Sequence, residues 1–66
     1  MIPDPRRPQV GDTYTLEGGW TTEVLAVTRK RITIRLTPRG KKPAEGQVTP
    51  DYFAETRSVW TPQERP

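Results

Sequence analysis

The stretch Arg31-Ile32-Thr33-Ile34-Arg35-Leu36-Thr37 alternates without a break between polar and apolar side chains. A period of two is that of a β-strand with one buried face, and β-branched residues suit a pleated, half-buried surface. Ile32, Ile34 and Leu36 are therefore expected on a core. Arg31, Thr33, Arg35 and Thr37 are expected in solvent.

The segments on either side continue the pattern. Trp20 to Thr28 is a β-rich run holding the continuous apolar stretch Val24-Leu25-Ala26-Val27. Thr13 to Glu17 alternates, with Tyr14 and Leu16 on one side, and Gly18-Gly19 between the two runs is a turn pair tolerant of positive φ. Beyond Thr37, the residues from Pro38 to Gly46 read as a loop, and Gln47-Val48 as a short fourth strand. Thr49-Pro50-Asp51 is a helix start: Thr can cap, Pro suits the first helical position, and Asp complements the positive helix end. One helical turn through Tyr52 and Phe53 is expected, then a last strand over Thr56 to Trp60. Residues 61–66 are expected to fray. Residues 1–9, with Pro3, Pro5 and Pro8 around Arg6 and Arg7, read as a flexible Pro/Arg-rich arm. Pro5-Arg6-Arg7-Pro8 also has the spacing of a proline-motif ligand.

The reading is all-β: a small five-stranded barrel over residues 10–60 with one short helical turn before the last strand. Its expected core is Val10, Tyr14, Leu16, Leu25, Val27, Ile32, Ile34, Leu36, Val48, Phe53 and Val59. A 66-residue chain that is 30% hydrophobic makes one small domain, close to the lower limit of what a core can hold without help. Val10-Gly11-Asp12 before Tyr14, Gly19-Trp20 leading to Val24 and Val27, Ile32 and Ile34, and Phe53 before a terminal strand together resemble the small SH3-like proteins of bacteriophage and bacterial genomes. That resemblance implies the barrel. It implies no single activity, since the wider group includes nucleic-acid binders, peptide binders and ribosomal modules. A reductase that shares the barrel carries a Val-Gln-Ile-Tyr pore motif with no counterpart in this chain.

Charge carries the functional signal. The chain has 11 Lys+Arg and 8 Asp+Glu, a net charge of +3. Residues 29–42 hold Arg29, Lys30, Arg31, Arg35, Arg39, Lys41 and Lys42 and no acid, which leaves four cations and eight acids elsewhere. A concentrated basic surface attracts polyanions or acidic proteins through its local field. Neither Cys nor His is present. Disulfides are thereby excluded, a transition-metal site loses its usual ligands, and no cofactor is expected. The carboxylates are scattered, without the paired arrangement that acid–base work requires, so the chain reads as a non-enzyme. Arg39-Gly40-Lys41-Lys42 lacks a nucleotide-cradling glycine pattern. The longest loop is basic, whereas a proline-peptide groove pairs exposed aromatics with an acidic loop. No apolar run is long enough for a membrane span or signal peptide, and the default expectation is a cytoplasmic protein.

Two local features frame the expected site. If Arg29-Lys30 is a two-residue hairpin turn, both positions need positive φ, for which Arg and Lys are poorly suited. If residue 28 lies opposite 31, then 26 faces 33, 24 faces 35 and 20 faces 39. That register sets Trp20 on the outer face with Arg31, Arg35 and Arg39, a ring that could stack on a base among phosphate-binding cations. A bulge within Val24–Val27 would return Trp20 to the core side. The expected function is a basic binding module for DNA or RNA. The alternative is a small effector binding an acidic protein surface, and self-association is a further possibility.

Overall fold

The computed structural model describes residues 2–64. Five antiparallel strands form one sheet: β1 (Thr13–Leu16), β2 (Trp20–Val27), β3 (Ile32–Thr37), β4 (Ala44–Val48) and β5 (Thr61–Pro62). A single helix, α1 (Pro50–Arg57), joins β4 to β5. The strand order is β4-β3-β2-β1-β5, a meander whose last strand returns beside the first. The sheet is not closed, so β4 and β5 are edges.

β3 forms where the alternation requires it. Ile32 and Ile34 are buried, while Arg31 is exposed and Thr33 and Arg35 are partly exposed. With Tyr14, Val24 and Phe53 they make the core, and Val48 and Trp60 pack against it. Tyr14 and Phe53 meet edge to face, with centroids 5.7 Å apart. Burying each such side chain contributes roughly 1.5–3 kcal/mol, so this small cluster carries much of the domain's stability.

The core differs from expectation at several positions. Val24 is fully buried instead of facing out. Leu25 is the extra residue of a bulge: Ala26 pairs with Thr33, as expected, but the register then shifts and Val24 pairs with Ile34. Val10, Val27 and Val59 are exposed, and Leu16, Leu25 and Leu36 are only partly buried. Val10 sits in the turn that Gln9 and Asp12 close, and Val59 in the turn after α1.

The C-terminal third also differs. α1 runs two turns, and Thr56–Arg57 belong to it instead of to a strand. Thr49 caps it, its Oγ1 accepting the Tyr52 N–H at 3.2 Å, and Pro50 opens it. The Thr56 hydroxyl donates to the Tyr52 carbonyl at 2.8 Å, which accommodates a β-branched residue inside the helix. The last strand is Thr61–Pro62, a pair expected to fray. Thr61 lies opposite Thr15, Pro62 opposite Tyr14, and Gln63 donates its amide to the Thr13 carbonyl. Arg65 and Pro66, the end of the expected tail, lie outside the described residues. At the other end, part of the segment expected as a free arm is packed. Pro3 is buried, and Asp4 holds a turn by accepting the Arg6 and Arg7 amides at its carboxylate and carbonyl, both at 2.9 Å. Among the described residues, no helix is long and apolar enough to cross a membrane.

Candidate nucleic-acid interface

The seven cations of residues 29–42 fall into two clusters and one isolated side chain. Arg29, Lys30 and Arg31 form the exposed tip between β2 and β3. The tip needs no positive φ, since no non-glycine residue among those described adopts one. Thr28 closes it instead. The Thr28 amide donates to the Arg31 carbonyl at 2.8 Å, and the Thr28 hydroxyl bonds both the Arg31 carbonyl, at 2.9 Å, and the Arg31 amide, at 3.0 Å. The hydroxyl thus takes over a bond that a two-residue turn would make with backbone alone. Arg31 folds back so that its guanidinium donates to the Lys30 carbonyl at 3.0 Å.

Arg39, Lys41 and Lys42 form the second cluster, in the loop between β3 and β4. There the Lys41 amide donates to the Pro38 carbonyl across Gly40, whose φ of 70° supplies the turn. The Arg39 stem lies across Gly19: a Cβ at Gly19 would come within 3.0 Å of its Cγ and Cδ. All three cations are exposed. The two clusters mark opposite ends of β3, whose six residues span roughly 20 Å at about 3.3 Å per residue.

Arg35 lies between them and is not free. The bulge at Leu25 brings Glu23 opposite Arg35 on β2, and Glu45 lies opposite it on β4. Arg35 pairs with Glu23 at 3.6 Å and with Glu45 at 3.3 Å. The middle of the outer face is thus one cation held between two carboxylates. The other six cations make no ion pair among the described residues.

Trp20 opens β2, opposite Leu16 of β1. It shares parity with the buried Thr22 and Val24, so it belongs to the core-side face and not to the face of Arg35. At the strand end it remains 40% exposed, next to the Gly19 that Arg39 crosses. The bulge therefore separates Trp20 from Arg31 and Arg35 and leaves it near Arg39.

One cation outside the basic segment is used structurally. Arg57 is buried, its guanidinium carbon 4.5 Å from the Trp60 ring centroid and 5.5 Å from that of Phe53. Burial lowers its pKa from the ordinary arginine value, while Tyr52 and Tyr14 oppose the shift. The spacing Phe53-x-x-x-Arg57 is the available sequence signal, once a helix is recognised there. Asp4, Asp51 and Glu55, together with Arg6, line a cleft of about 580 Å³ between the N-terminal segment and α1, where Arg6 pairs with Asp4 at 3.7 Å. No group of acidic residues among those described could hold a metal ion. No family model, curated protein or solved structure matches this chain.

Proposed function

We propose that the protein is a non-catalytic module that binds DNA or RNA through its phosphates, using the clusters at the two ends of β3. The observation that supports this most directly is the division of the cations. Arg29, Lys30, Arg31, Arg39, Lys41 and Lys42 are exposed and make no ion pair among the described residues, whereas Arg35 makes two. Unpaired cations on exposed loops can exchange their counterions for phosphates at little structural cost. Trp20, beside Arg39, is the group available to stack on an unpaired base. The meander order, with a helical segment before the last strand, supports reading the fold as SH3-like.

The test is binding of labelled mixed-sequence oligonucleotides, single-stranded and duplex, followed by fluorescence anisotropy. If about four cations meet phosphates of a duplex, the log–log salt slope is near −3.6, at roughly −0.9 per contact. Replacing Arg29, Lys30 and Arg31 together by Glu should weaken binding by more than about tenfold while the melting temperature holds. Equal binding by that variant removes the tip from the site. Absence of wild-type binding at low salt rejects nucleic acid and leaves an acidic protein surface as the partner class.

A further inference from the structure

The free edge of β4 has a self-complementary pattern, and we infer that it pairs antiparallel with β4 of a second copy to make a weak, reversible dimer. Gly11 donates its amide to the Val24 carbonyl, and Val24 donates its own to the Asp12 carbonyl, so the Val24 backbone faces β1. Alternation then turns the backbone of Glu23 toward β3, that of Arg35 toward β2 and that of Ile34 toward β4. On β4, Gly46 faces β3, and the N–H and C=O groups of Glu45 and Gln47 point away from the sheet. Residues 44–47 are all exposed, and no described strand covers this edge.

A two-fold axis through Gly46 matches these groups. Glu45 falls opposite Gln47 of the second copy, twice, and each pair forms two backbone hydrogen bonds. No carboxylate meets its own symmetry mate. Ala44 falls opposite Val48 on the core-side face. There Ile34, Leu36, Ala44, Gly46 and Val48 line a shallow groove of about 180 Å³, which the joined sheets would extend across the axis. The same register carries Lys41 and Lys42 toward Asp51 at the start of the second copy's α1, so unlike charges flank the seam. Five residues per copy bury too little surface for a tight dimer, so the association is concentration-dependent. It also has a functional consequence. The ends of β3 reverse between the copies, so the Arg29–Arg31 tip of one lies at the same end of the joined sheet as Arg39–Lys42 of the other. Two basic clusters roughly 20 Å apart in one copy become neighbours across three strand spacings of about 4.8 Å.

The test is sedimentation equilibrium of the full chain over a wide concentration range, with wild type, Gln47→Glu and Gln47→Lys. Residue 47 is exposed and its backbone faces outward, so neither change touches the β3–β4 ladder. Gln47→Glu sets two like charges opposite Glu45 and should weaken the dimer, while Gln47→Lys sets two opposite charges there and should tighten it. Each shift should be roughly two- to thirtyfold, from two symmetry-related cross-strand pairs. A wild type that stays monomeric at every concentration overturns the proposal. So does a dimer on which both substitutions act alike. Neither result bears on nucleic-acid binding, which the anisotropy measurement reads on its own.

Discussion

Releasing Arg35 should turn two separate basic clusters into one continuous track. The perturbation is Glu23→Gln together with Glu45→Gln. Both carboxylates are partly exposed, 44% and 59% at the side chain, and both pair with the same guanidinium. Exposed pairs of this kind are worth about 0.2–1 kcal/mol each, so the fold should survive the double change with a small loss in melting temperature. The effect on binding is larger. Arg35 lies midway between the clusters, and once free it adds one phosphate contact. One added contact steepens the log–log salt slope by roughly 0.9 and makes affinity at 100 mM salt about eightfold higher. Between 50 and 200 mM salt, the variant should lose roughly 3.5-fold more affinity than wild type does. The assay is anisotropy on the same duplex across that salt range, with Arg35→Gln added to the double variant as control. Without the Arg35 cation the added contact is gone, so the control should return the slope to the wild-type value. An unchanged slope in the double variant would refute the reasoning, as would a steeper slope that persists in the control.

Ile34→Ala should cost roughly 2–5 kcal/mol and largely unfold the domain, read by thermal or denaturant melting; unchanged melting would contradict the core at β3. Tyr14 bears on pH. Burial, with Asp12 and Asp4 adding and Arg57 opposing, pushes its hydroxyl from 10.0 up to about 12. The folded pKa is raised, so its contribution to stability is whole below pH 10 and is lost as pH rises from 10 to 12. Tyr14→Phe should flatten that alkaline loss, and it should change stability at pH 7 by less than about 1 kcal/mol, because the buried hydroxyl has no hydrogen-bond partner among the described residues. An alkaline limb identical in the variant would show that another group controls it. Gly19→Ala should cost about 1–2 kcal/mol, since φ there is 97° and the new methyl would press on the Arg39 stem. A stability equal to wild type would mean that the turn relaxes freely.

How much was legible in the sequence follows from which signals are local. β3 was readable because its alternation is unbroken and β-branched. The near half of the β2–β3 register was readable too, since Ala26 does pair with Thr33. The far half was not. Val24-Leu25-Ala26-Val27 is apolar throughout, so nothing in it marks which residue is extra, and the bulge at Leu25 moves every residue before it by one position. That single event buries Val24, takes Trp20 off the cationic face and brings Glu23 to Arg35. The seven cations could therefore be counted from the sequence, but their division into six free and one clamped could not. The C-terminal misreading has a different source. Thr56 and Val59 favour a strand locally, but the Thr49 cap, the bond from the Thr56 hydroxyl to the Tyr52 carbonyl and the packing of Arg57 between two rings favour the helix. The last of these joins residues only three and four apart, and that spacing becomes a signal only once a helix is recognised there. Burial of Pro3 is invisible in a segment whose composition reads as a tail.

The central claim is that both ends of β3 meet nucleic acid, and amide chemical-shift mapping during titration with a mixed-sequence oligonucleotide tests it most directly. The account predicts salt-sensitive shifts at Arg29, Lys30 and Arg31 and at Arg39, Gly40, Lys41 and Lys42, with Asp51 to Ser58 of the acidic side unmoved. Shifts confined to α1 and the N-terminal segment, or no shifts at low salt, would contradict it.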